Sequence, residues 1–238
     1  METRAVDIAL EGRTIVTARP LAPGPWPGVV MLHEAWGIDD VLRRHADRLA
    51  SAGYLVYAPD LLGEGSWLRC IRITFRAYQA RTGEPFELIE SCRRELRADR
   101  DCTGKVGVIG FCLGGGFALL VSGEGYHAAS VNYGQVPPDI DKLAERSCPI
   151  VASYGGRDWT VRGALPLREA LRARGVPHDV EVYPAAGHAF LNDKPNGPLA
   201  FRPVVRLTHA GPEPVSAADA WRRIEAFFAE HLGSGDAR

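Results

Sequence analysis

The feature that most constrains this chain is an alternation of short apolar runs with amphipathic segments along its whole length. Gly28–His33, Tyr54–Ala58, Lys105–Gly110, Tyr126–Tyr133, Pro149–Tyr154 and His178–Tyr183 read as strands. Most lack polar alternation, so they suit a parallel sheet buried on both faces. Between them, Asp39–Ala52, Pro85–Arg100, Leu113–Ser122 and Val161–Arg174 carry helical spacing, and a last helix begins at Ser216. Asp39 is placed to cap the first helix and Gly53 to stop it. Leu61–Gly83 reads as a loop plus a short helix over the sheet edge, and Asn192–Pro214 as a long surface loop. The expectation is one α/β domain over residues 1–238, with a mostly parallel sheet and helices on both faces.

Composition narrows the function classes. Lys and Arg total 28 against 29 Asp and Glu, with no run of like charge at either end, so nothing points to nucleic acid. The N-terminus lacks a basic region followed by an apolar stretch, and no run of about eighteen apolar residues occurs. Neither a signal peptide nor a membrane span is expected. The five cysteines, Cys70, Cys92, Cys102, Cys112 and Cys148, form no C-x-x-C pair. Such usage argues against a disulfide framework or a zinc site and fits a reducing cytoplasm.

One cysteine stands apart. Gly110-Phe111-Cys112-Leu113-Gly114 is a G-x-C-x-G placed directly after one predicted strand and directly before a helix. A sharp strand-to-helix turn lifts its central side chain above the sheet, and small residues two before and two after let strand and helix approach. The helix N-terminus then offers free N–H groups and a positive dipole end to an anion. The alternative is a glycine-rich turn around an inert, buried cysteine. A phosphate-cradling loop fits poorly, because neither a Lys-Ser/Thr pair nor G-x-G-x-x-G follows.

A thiol nucleophile needs a base, and the base an orienting carboxylate; in open α/β sheets such groups gather at the strands' carboxyl ends. Asp158 follows the strand Pro149–Tyr154, where it could also serve as a turn residue or cap the helix at Val161. His188 follows the strand ending at Tyr183. His127, His178 and His231 lie within or at the ends of elements, and His209 in the loop is a weak competitor. Cysteine, aspartate and histidine thus fall in the order that α/β-hydrolases use.

These residues resemble the dienelactone hydrolase (carboxymethylenebutenolidase) family. The matching stretches are His33-Glu34-Ala35-Trp36-Gly37, Ala58-Pro59-Asp60-Leu61, Gly107 to Gly115, Gly155-Gly156-Arg157-Asp158 and Gly187-His188-Ala189-Phe190. The resemblance implies an α/β-hydrolase fold with Cys112 as nucleophile, His188 as base and Asp158 as its orienting acid. It implies hydrolysis of an enol-lactone or a related small ester through an acyl-enzyme. Glu34 is implied to contact the resting thiol and help remove its proton; taken alone it could be a loop carboxylate facing water. His33-Glu34 does not continue into a zinc-binding H-E-x-x-H. The oxyanion donors are expected to be the backbone N–H groups of Leu113 and Ala35, with Trp36 walling the pocket or simply packing.

In the family, arginines hold the substrate carboxylate, one of them shortly after the catalytic histidine. Here that segment reads Phe190-Leu191-Asn192-Asp193, with no arginine. Arg69, Arg72, Arg76 and Arg81 remain to bind an anionic substrate or to form a solvated face. A general carboxylesterase or thioesterase is the alternative reading, and a non-catalytic binding protein a third. No cofactor and no metal are expected. The expected partner is a small ester or lactone, and the chain is expected to work as a monomer or small homo-oligomer.

Overall fold

The computed structural model describes residues 1–195 and 209–233. Its centre is one eight-stranded sheet: β1 (Thr3–Leu10), β2 (Arg13–Pro20), β3 (Trp26–Leu32), β4 (Leu55–Pro59), β5 (Cys102–Phe111), β6 (Ala128–Asn132), β7 (Ile150–Gly155) and β8 (His178–Tyr183). The spatial order is β1-β2-β4-β3-β5-β6-β7-β8. β2 runs antiparallel to both of its neighbours, and every other pairing is parallel.

Every residue of β3, β6 and β7 is buried, as suits largely apolar strands covered on both faces, and the burial extends to Ser130, Asn132 and Ser153. Successive side chains point to opposite faces. Val30 and Leu32 join one core layer and Val29 and Met31 the other. The first layer is closed by α3 (Glu84–Ala98), α4 (Leu113–Leu120), α5 (Ile140–Ala144) and α6 (Ala164–Ala173). α1 (Asp40–Ser51) and α7 (Pro214–Leu232) close the second. Asp39 caps α1 by accepting from Leu42 N–H at 2.9 Å.

Three segments differ from the sequence reading. The N-terminal residues form a hairpin, β1–β2, whose Glu11-Gly12 turn has φ of 51° and 74° at its two residues. Leu61–Gly83 contains a full 14-residue helix, α2 (Trp67–Ala80), rather than a loop with a short helix. Cys70, Ile71 and Thr74 are its buried face, a narrow stripe that the interspersed arginines disguise. The helix expected from Val161 starts at Ala164, with Gly163 at its N-cap position. Most of the loop expected over Asn192–Pro214 lies outside the described residues. None of the described helices is long and apolar enough to cross a membrane.

Candidate active site

Parallel strands end together, so the segments that follow them converge. Register pairs Leu32 with Gly110, Gly110 with Val131 and Asn132 with Ser153. His33 and Glu34 follow β3, Cys112 follows β5, Tyr133 follows β6, Asp158 follows β7 and His188 follows β8. This carboxyl edge is where open α/β sheets place their chemistry.

Cys112 sits at φ 53°, ψ −115°, a backbone conformation that side-chain-bearing residues seldom adopt. A Cβ at Gly110 would lie 1.9 Å from the Gly114 carbonyl oxygen, and one at Gly114 would lie 2.3 Å from that of Leu32. Both glycines are therefore demanded by the approach of β5 and β3 to α4. Cys112 N–H donates to Asn132 O at 3.0 Å and Gly114 N–H to His33 O at 3.2 Å, fixing the turn from both sides. The turn delivers Leu113 as the first residue of α4.

His188 Nδ1 lies 2.6 Å from Asp158 Oδ2. The other carboxylate oxygen of Asp158 accepts from Thr160 N–H at 2.9 Å and from the Thr160 hydroxyl at 2.5 Å. Asp158 is thus a local turn former and the partner of His188 at once, and it does not cap α6. Burial pushes the Asp158 carboxyl up, but the bonds from His188 and Thr160 outweigh it and hold the group below the usual carboxylate range. Burial pulls His188 down, yet charge on the Cys112 sulfur and the Asp158 carboxylate overcome it and hold His188 well above the ordinary histidine range. The Tyr133 ring lies edge-on to His188 at 5.0 Å.

Glu34 is buried beside this trio. Its Oε1 accepts from Tyr133 OH and from Asn192 Nδ2, each at 3.2 Å. Fully buried His33 braces the same loop: Nδ1 lies 2.6 Å from Glu34 O, and Nε2 accepts from Leu61 N–H at 2.9 Å. The Glu34 carbonyl and the Ala35 N–H belong to one peptide plane, so His33 also sets the direction of that N–H. Trp67 Nε1 donates to Ala35 O at 2.9 Å, and its ring stacks on Trp36 at 5.1 Å.

The arginines lie elsewhere. Arg81 ends α2 and pairs with Asp139 at 2.5 Å. Arg69, Arg72 and Arg76 are exposed on α2, and Arg69 borders a cleft with Arg13, Cys70 and Glu84. Among the described residues, no group of three or more His, Cys, Asp or Glu is arranged to hold a metal ion.

Tyr133, Asn192, His33, Trp67 and Thr160 escaped the reading of the sequence as site residues. Tyr133 had a signal, since it ends a strand at the same edge as the trio. The partners of Asn192 and Trp67 come from distant segments, and no spacing announces them.

The strand order, the elbow after β5 and the acid and histidine after β7 and β8 define an α/β-hydrolase fold. Comparison with known proteins narrows the class. The chain belongs to the dienelactone hydrolase family, whose model matches residues 14–232, and it is a carboxylic ester hydrolase of that family. A protein of Escherichia coli (strain K12) named "Putative carboxymethylenebutenolidase" is 29% identical over 235 residues, covering 91% of this chain and 82% of that protein. A protein of the same name from Methylorubrum extorquens is 28% identical over 236 residues, covering 90% and 75%. The crystal structure of a "Putative Dienelactone Hydrolase" from Klebsiella pneumoniae superposes with a TM-score of 0.73 at 25% identity, over 96% of this chain and 98% of that one.

Proposed function

We propose that this protein hydrolyses a small ester or enol-lactone through an acyl-enzyme on Cys112. The observation that carries the reading is the His188–Asp158 contact of 2.6 Å beside a cysteine held at a left-handed elbow. His188, with its heightened hold on a proton, suits the task of taking one from the thiol, aided by Glu34. The sulfur then attacks the substrate carbonyl carbon, and the carbonyl electron pair moves onto oxygen. The N–H groups of Leu113 and Ala35 are the donors for that oxyanion, the first at the positive end of α4 and the second aimed by His33. Collapse breaks the carbon–oxygen bond. His188 gives its proton to the departing alkoxide or enolate, then draws a proton from water, and the hydroxide attacks the thioester. The adduct expels the sulfur, which takes back the proton held by His188 to restore the thiol, and the carboxylic acid leaves and ionises in water. Asp158 keeps the histidine tautomer fixed and stabilises its charged form throughout.

A second reading concerns the substrate. Arg81 is engaged by Asp139, and Arg69 and Arg76 are exposed, so these side chains give an anionic lactone no fixed partner. A neutral ester or thioester is therefore the alternative substrate to set beside the lactone. Turnover of a dienelactone, p-nitrophenyl acetate and an acyl thioester by the wild type and by Cys112→Ala tests both points. Loss of turnover in a folded Cys112→Ala supports the mechanism, and the preferred substrate identifies the subgroup. Equal turnover by both proteins defeats it.

A further inference from the structure

We infer that Asn192, held in one amide orientation by His45, is a positioning residue that aims Glu34 and sets its readiness to take a proton. The inference rests on the reading that Glu34 serves Cys112.

Glu34 receives Asn192 Nδ2 and the Tyr133 hydroxyl on the same oxygen. Each of these two donors is neutral, so it orients the carboxylate by a hydrogen bond and adds no charge of its own. An amide beside a carboxylate has two faces, one attractive and one repulsive. Asn192 Oδ1 lies 3.4 Å from His45 Nε2, on the far side from Glu34. His45 is buried between Phe111 and Trp221, with ring centres 4.9 Å from each. A neutral imidazole with its proton on Nε2 donates to Oδ1 and leaves Nδ2 facing Glu34. Burial, pushing His45 down to about 4, keeps it neutral at physiological pH.

The same turn carries His188. Asn192 N–H donates to Ala189 O at 3.2 Å, directly after that histidine. The next residue, Asp193, pairs with Arg44 at 2.5 Å, so adjacent residues of α1 grip adjacent residues of the turn. α1 thereby ties the placement of the base to the aim of Glu34. Among the described residues, the ionisable groups along this contact chain include Cys112, His188, Asp158, Tyr133 and Asp39 on the site side, and Arg44, Arg48 and Asp193 around His45.

The test is the pH dependence of kcat/KM for p-nitrophenyl acetate from pH 5 to 9, on the full-length protein, with Cys112→Ala alongside. In Asn192→Asp a second carboxylate of nearly the same shape stands about 3 Å from Glu34, and two such groups share a proton. The acidic limb is expected to rise by about one pH unit or more. In His45→Phe the aromatic stack remains but the amide loses its guide; kcat is expected to fall ~3–10-fold with KM little changed, the effect of about one neutral hydrogen bond. A wild-type acidic limb in folded Asn192→Asp overturns the inference. If that variant does not fold, wild-type kcat in His45→Phe does so. Full turnover by Cys112→Ala instead defeats the underlying mechanism. An inactive Cys112→Ala with an unshifted Asn192→Asp removes only the role of Asn192.

Discussion

His45 makes the stability of this protein fall on mild acidification, by an amount that can be worked out. In the unfolded chain its pKa is the ordinary 6.5, while in the fold burial pushes it down to about 4. The unfolded state therefore binds a proton that the folded state refuses. The contribution of His45 is undiminished above pH 6.5 and is lost as pH falls from there toward 4. At pH 5 the unfolded residue is nearly all protonated and the folded one about one-tenth, which corresponds to about 2 kcal/mol lost relative to pH 7.5. Other groups titrate over the same range, so the useful quantity is a difference. His45→Gln retains an N–H for Asn192 but carries no charge at any pH. With a urea m-value of about 3 kcal/mol/M, the wild-type midpoint should drop by about 0.7 M more than that of His45→Gln between pH 7.5 and 5. Curves that fall in parallel for the two proteins would refute the assignment of a neutral, proton-refusing His45.

Gly110→Ala would force a Cβ to 1.9 Å from a backbone oxygen that cannot move without breaking the elbow. A loss of at least ~3 kcal/mol is expected, seen as a Tm fall of ~6–12 °C or as insoluble protein; a wild-type Tm would contradict the packing described. Trp67→Phe keeps a ring against Trp36 but removes the donor to Ala35 O. Steady-state kinetics should show kcat down ~3–10-fold at similar KM, because the loop carrying the Ala35 N–H loses one restraint. Arg81→Ala breaks only an exposed pair with Asp139, so KM for an anionic ester should stay within about twofold and stability within ~1 kcal/mol. A large rise in KM would place that arginine against substrate.

Much of the fold is readable because burial imposes pattern. β3, β6 and β7 are covered on both faces; the apolar run of β3 reports it directly, while β6 and β7 also bury Ser130, Asn132 and Ser153. The elbow is readable because two glycines are required at fixed offsets from Cys112. α2 is harder, since its buried stripe is narrow and arginines fill the rest. Hardest are the contacts of Glu34. Asn192 lies 158 residues further along and Tyr133 lies 99, so their meeting depends on how β6, β8 and α1 are stacked. A single sequence shows periodicity and local turn chemistry; it does not show which polar side chains tertiary packing brings together.

Three of the six non-glycine residues with positive φ among those described are Cys112, Tyr133 and Ala189, all at the carboxyl edge of the sheet. Each such conformation costs of order 1–3 kcal/mol and persists only while its surroundings enforce it. The edge that carries the candidate site is therefore also the stressed edge, held in shape by the parallel strands behind it. Any loosening of the sheet relaxes that edge first. Catalysis should fade at denaturant concentrations that still leave the strands paired, so that activity, rather than helix content, is the earliest sign of damage to this protein.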